Sequence, residues 1–133
     1  MKTKVAFVCI HNSCRSQMAE GWAKHLGSDV LEIYSAGTEE YHEVKPLAVE
    51  VMKEVGIFMD DHYPKLLIDI PEEVDILITM GCGVICPFVP CKCQEDWGLE
   101  DPSGGTIKEF RKTRDLIENK VKDLIYRVRN NYI

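Results

Sequence analysis

The chain has 133 residues, 45% of them apolar and 29% charged, a composition that fits one globular domain over residues 1–133. Its 22 acidic against 16 basic residues leave a net charge of −6, which argues against a nucleic-acid surface or a polybasic membrane patch. The early apolar run Val5–Ile10 is too short for a spanning helix, which needs about 20 residues, or for a signal-peptide core. A cytoplasmic location is therefore expected, and there the six cysteines point to catalysis, redox exchange or metal binding rather than to structural bridges.

Val5-Ala6-Phe7-Val8 is a continuous apolar run of the kind that forms a strand buried on both faces. A polar loop follows. Met18, Ala19, Trp22, Ala23 and Leu26 then recur at helical spacing up to Gly27. Val30–Ala36 reads as a second strand. Pro46 opens a second helix whose face is Leu47, Ala48, Val51, Met52 and Val55. Val74–Thr79 is a third strand. Residues 81–104 form a Gly-, Pro- and Cys-rich segment with a short strand near Cys93–Trp97, and a loop of that length is usually functional. Thr106 and Glu109 fit a capping box for a last helix carrying Ile107, Phe110, Ile117, Val121, Leu124 and Val128. Alternation of strands and helices predicts a three-layer, doubly wound α/β domain with parallel pairing and helices on both sheet faces.

The segment Cys9-Ile10-His11-Asn12-Ser13-Cys14-Arg15-Ser16 lies between the first strand and the first helix, where open α/β sheets bind ligands. If its backbone curls, Cys9 and Arg15 face one centre, and the amides of residues 10–16 point inward as an anion-binding nest at a helix N-terminus. Arg15 offers a bidentate fork to a tetrahedral oxyanion. The same positive surroundings raise the thiolate fraction of Cys9. Asn12 tolerates the left-handed backbone of a tight loop. Ser13 and Ser16 can donate to the ligand or to the Cys9 sulfur. For His11 the backbone amide is the expected contribution. His25, His42 and His62 read as surface or capping residues, and Met18 and Trp22 as core.

This stretch resembles the C-x5-R-S signature of low-molecular-weight protein tyrosine phosphatases and thioredoxin-coupled arsenate reductases. Asn12 through Gly21 looks like the reductase branch in particular. Gly37, Gly56-Ile57 and Trp97-Gly98-Leu99-Glu100-Asp101-Pro102 extend the likeness over nearly the whole chain. The resemblance implies a four-stranded parallel sheet, with Cys9 as nucleophile, Arg15 as oxyanion ligand and Asp101 as general acid. Backbone restriction before Pro102 suits the aiming of a carboxyl group. The aromatic residues that follow the Asp-Pro pair in the phosphatases are replaced here by Ser103-Gly104-Gly105, which supply no stacking wall.

Gly81-Cys82-Gly83-Val84-Ile85-Cys86-Pro87 separates the two activities. Phosphoryl hydrolysis needs no further thiol, whereas reduction of As(V) to As(III) needs two electrons. The reductase resemblance implies that Cys82 attacks Cys9, that Cys86 attacks Cys82, and that a Cys82–Cys86 disulfide is left for thioredoxin. On a helix their β-carbons would lie about 5–6 Å apart, against about 3.8 Å in a disulfide, so oxidation must reshape the segment. Cys91 or Cys93 is an alternative final thiol, and Cys14 is expected to pack in the loop or to bridge Cys9. A different reading of Cys82, Cys86, Cys91 and Cys93 is a structural zinc site, although their spacings do not form paired C-x2-C knuckles. Glu20 and Ser35, with Asn12, resemble residues around a potassium site in some related reductases. The expected protein is a monomeric arsenate reductase with no obligatory cofactor. The alternative is a phosphatase of the same family acting through a phosphocysteine at Cys9.

Overall fold

A computed structural model describes residues 2–81 and 89–133. Four strands, β1 (Thr3–Cys9), β2 (Leu31–Gly37), β3 (Val74–Thr79) and β4 (Cys91–Asp96), form one sheet in the order β2-β1-β3-β4. All the pairings are parallel. The helices are α1 (Arg15–Gly27), α2 (Pro46–Glu54) and α3 (Ile107–Arg129). The α/β class and the four-stranded parallel sheet are as the sequence predicts. β1 is paired on both sides and completely apolar from Val5 to Cys9, as a central parallel strand must be. β4 has β3 on one side and alternates half-buried with exposed residues, Lys92 among the exposed. This is a common way to blunt an edge. It explains why the sequence places this strand two residues late.

One face of the sheet carries the main core. Val5, Phe7, Ile76, Ile78 and Met80 pack there against Met18, Trp22, Val51, Met52, Phe110, Ile117, Val121 and Leu124 from the three helices. Full burial of Phe110 alone contributes about 1.5–3 kcal/mol. The other face carries Ala6, Val8, Ala36, Val74 and Leu77. Among the described residues that face is covered by Ile70, Tyr34, Leu67 and Val89, with a 3-10 turn at Leu67–Asp69 that the sequence pattern did not signal. The sequence pattern predicts helical cover on both faces; among the described residues α1, α2 and α3 all lie on one face and the 3-10 turn lies on the other. Thr106 caps α3, its hydroxyl accepting the Glu109 N–H. Among the described residues no helix is long and apolar enough to cross a membrane.

β1 ends at Cys9 and α1 begins at Arg15. The intervening turn lies against the end of β2, and Gly37 permits this. A β-carbon there would sit 2.7 Å from the Ile10 carbonyl oxygen and 2.9 Å from the Asn12 nitrogen.

Candidate active site

Residues 10–14 wrap the carboxyl end of β1 with their carbonyls turned outward. Thr38 N–H donates to Cys9 O at 3.2 Å, Glu39 N–H to Ile10 O at 2.8 Å and Lys45 N–H to Ser13 O at 2.7 Å. Among the described residues no backbone carbonyl accepts from the amides of residues 11–16. Carbonyls bonded elsewhere and amides left without a backbone acceptor are what an anion-binding nest requires. Asn12 makes the turn with φ 53°, in the left-handed region that Asn enters more readily than most residues.

Asn12 is fully buried, and its partners fix its amide. Its Oδ1 accepts from Lys65 N–H (2.9 Å) and from Gln17 Nε2 (2.9 Å). Its Nδ2 must therefore be the group that donates to Ser16 Oγ at 2.7 Å. Ser16 Oγ is in turn 2.8 Å from Cys9 Sγ. Its oxygen accepts from Asn12, and its hydroxyl is within hydrogen-bond distance of the sulfur, able to donate to a thiolate or to accept from a thiol. Of the two serines foreseen as donors, Ser16 takes this role, and Ser13 is buried without a comparable bond to Cys9.

Arg15 is 3% exposed. Its Nη1 donates to Met80 O (3.1 Å) and Leu99 O (2.8 Å). The Nε–Nη2 edge is left facing the pouch: Nε has no hydrogen-bond partner, and Nη2 lies 3.8 Å from Asp101 Oδ2. That edge is the one that binds an oxyanion bidentately. Its anchor depends on glycine. Gly81 has φ 74°, and a β-carbon on it would fall 2.4 Å from Gly98 Cα. Two bare backbones in contact let Leu99 N–H reach Met80 O at 3.0 Å, so both carbonyls meet Arg15.

Asp101 is half exposed, and its Oδ1 accepts the Ser103 N–H at 3.0 Å. Burial pushes its carboxyl up, but the Ser103 amide and hydroxyl, then the charges of Arg15 and Lys45, outweigh this and hold it below the usual range. In this state it is a carboxylate. Cys14 is a packed thiol. Burial, then the negative charges of Asp101 and Cys9, push its thiol far up, so it stays protonated and packs. Both loop cysteines are free thiols here. The His11 ring lies beside Glu39, its Nε2 3.5 Å from Glu39 Oε1.

Sequence reasoning missed a second ring of residues. Gln17 uses Nε2 on Asn12 and on Tyr63 O, leaving Oε1 to accept from His62 Nδ1 at 2.9 Å. His62 is thus a correction: its side chain is 7% exposed, belonging to the site's support and not to the surface. Burial lowers its basicity, only partly countered by Glu20. Glu20 is bonded to Ser35 and to Lys24 (2.8 Å), with Lys65 at 3.4 Å. Burial raises its carboxyl, yet these partners prevail and keep it ionised. Lysines and a histidine therefore surround the carboxylate for which the sequence resemblance raised potassium. Cys82 and Cys86 lie outside the described residues. Cys91 and Cys93 are half-buried free thiols on β4, and among the described residues no group of three or more Cys, His, Asp or Glu could hold a metal.

The family model for low molecular weight phosphotyrosine protein phosphatase matches residues 4–132. The chain belongs to that family. It is 41% identical over 126 residues to an arsenate reductase of Staphylococcus aureus, covering 92% of this chain and 95% of that one. A solved arsenate reductase in a phosphate-binding state superposes with a TM-score of 0.88 at 41% identity, over 96% of this chain and 99% of the other. A thioredoxin-dependent arsenate reductase of Corynebacterium glutamicum superposes with a TM-score of 0.80 at 30% identity, over 98% of this chain and 63% of that one.

Proposed function

We propose that this family member is an arsenate reductase that draws its electrons from thioredoxin. The observation that carries the proposal is the Arg15 Nε–Nη2 edge, buried and without a protein acceptor at Nε, beside a loop whose amides find no backbone acceptor and a Cys9 sulfur 2.8 Å from the Ser16 hydroxyl. Likeness to arsenate reductases over nearly the full length of both chains directs that oxyanion chemistry toward arsenate.

In this reading the amides of Ile10, His11, Asn12, Ser13, Cys14, Arg15 and Ser16, with the Arg15 fork, bind the oxygens. Cys9 Sγ attacks arsenic, and Asp101 protonates the oxygen that leaves as water. Cys82 thiolate then attacks Cys9 Sγ. The S–As bond breaks with its electron pair going to arsenic, so As(V) leaves as arsenite and a Cys9–Cys82 disulfide remains. Attack by Cys86 on Cys82 frees Cys9 and leaves Cys82–Cys86, which thioredoxin returns to two thiols by exchange. Cys91 or Cys93 in place of Cys86 would serve the same electron balance.

Cys9, Arg15 and Asp101 would also suffice for phosphomonoester hydrolysis, which the family match favours as a second reading. One experiment separates the two: NADPH oxidation driven by arsenate with thioredoxin and its reductase, run beside p-nitrophenyl phosphate hydrolysis. Cys82→Ser should abolish multiple-turnover reduction and leave hydrolysis largely intact, and Cys9→Ser should eliminate both. Reduction surviving in Cys82→Ser would refute the relay, and hydrolysis without any arsenate-dependent oxidation would favour the phosphatase.

A further inference from the structure

The segment between β2 and α2 does more than accept the loop's carbonyl bonds. Tyr41 lies ring to ring on His11, with centroids 4.8 Å apart, and His42 continues the stack at 4.6 Å. Lys45 closes it. Its ammonium donates to Tyr41 Oη at 2.7 Å and sits 4.7 Å from the centre of that ring. Its backbone N–H is the group bound to Ser13 O of the anion loop. The backbone of this lysine is thus fixed to the anion loop, and its ammonium to Tyr41, whose ring lies on His11 of the same loop. From there its charge reaches Asp101 and Cys14.

Charge balance gives this placement a use. A dianionic guest, the Cys9 thiolate and the Asp101 carboxylate together carry several negative charges against the single positive charge of Arg15. Glu39, Glu40 and Glu43 border the same segment, in a chain of net charge −6. An anion approaching past them meets repulsion unless a cation faces it. Arg15, with Nη1 committed to Met80 and Leu99, covers one edge of a tetrahedral guest.

We propose that Lys45, clamped by Tyr41, is the second cation of the oxyanion pouch, drawing the anion in and pairing with oxygens that Arg15 does not reach. The inference rests on the oxyanion-binding reading of Cys9 and Arg15, and it names a further anion-binding residue for it. A tyrosine clamp holds the flexible lysine stem in place before the anion arrives, which reduces the ordering cost of binding.

The test uses protection of Cys9 from iodoacetamide by sulfate, followed by mass mapping of the Cys9 peptide at constant ionic strength, in the wild type, Lys45→Met, Lys45→Arg and Tyr41→Phe. Lys45→Met should raise the sulfate concentration needed for half-protection about tenfold, the worth of one hydrogen bond to a charged group. Lys45→Arg should stay within about threefold of wild type, and Tyr41→Phe should fall between the two. With arsenate as substrate the same loss should weigh on KM more heavily than on kcat, and raising the salt should weaken wild-type binding more than that of Lys45→Met. Equal protection in the wild type and Lys45→Met would overturn the proposal, as would equal losses in the Met and Arg variants, which would mark a packing role. Sulfate protection without arsenate reduction would refute the reductase reading and leave Lys45 to be judged on the sulfate curves. No protection of the wild type would overturn both.

Discussion

Ser16→Ala isolates the bond on which the nucleophile depends. Ser16 is completely buried, its Oγ 2.8 Å from Cys9 Sγ and 2.7 Å from Asn12 Nδ2. A hydrogen bond to a charged group contributes about 1.5–3 kcal/mol. Removing it withdraws that stabilisation from the attacking sulfur, a factor of roughly 10 to 100 in free-energy terms. A less stabilised thiolate is a better nucleophile, and with a Brønsted coefficient of about 0.4–0.5 half of that free energy returns as reactivity. The net expectation is a fall of roughly four- to tenfold in the exchange rate of Cys9 with a neutral dipyridyl disulfide. A neutral reagent avoids any change in anion binding. Asn12 Nδ2 would lose its buried acceptor, costing about 1–3 kcal/mol of stability, so each variant is assayed well below its melting transition. A Cys9 exchange rate identical to wild type would refute the claim that Ser16 supports the sulfur as nucleophile.

Gly81→Ala should lower the thermal midpoint by several degrees, from a strain of about 1–3 kcal/mol, because its φ is 74° and the new methyl would meet Gly98 Cα at 2.4 Å. The same variant should weaken sulfate binding, since Met80 O and Leu99 O aim Arg15. Asp101→Asn should cut single-turnover arsenate reduction by about 10²- to 10⁴-fold while leaving Cys9 open to small neutral disulfides. Glu20, with its folded carboxyl held below the ordinary value of 4.5, adds stability that is fully present above that value and lost as pH falls through the lower, folded one. Urea midpoints of the wild type should therefore drop more steeply between neutral pH and pH 3 than those of Glu20→Gln.

The parts of this site that were legible in the sequence are local. A strand buried on both faces, a left-handed Asn and an arginine six positions after a cysteine all lie within one short stretch, and types and spacing suffice to place them. α1 shows where the pattern fails. Arg15, Ser16, Gln17 and Glu20 are all buried but polar, so apolar periodicity placed the helix's start only at Met18. Those residues break the apolar stripe because they face the site and its support. Gln17 meets Tyr63 across 46 positions, and Asn12 meets Lys65 across 53. Contacts of that range have no signature in sequence, and this is why His62 read as a surface residue. Tyr41 and Lys45 escaped for a related reason: they lie in an acidic connecting segment whose placement against His11 is set by backbone bonds to the anion loop.

Single-turnover stoichiometry tests the central claim most directly. Fully reduced protein is mixed with one equivalent of arsenate and no thioredoxin, and arsenite released and thiols lost are counted together. The account predicts two thiols consumed per arsenite in the wild type, and neither arsenite nor thiol loss in Cys9→Ser. Arsenite released by Cys9→Ser with the same loss of thiols would contradict it.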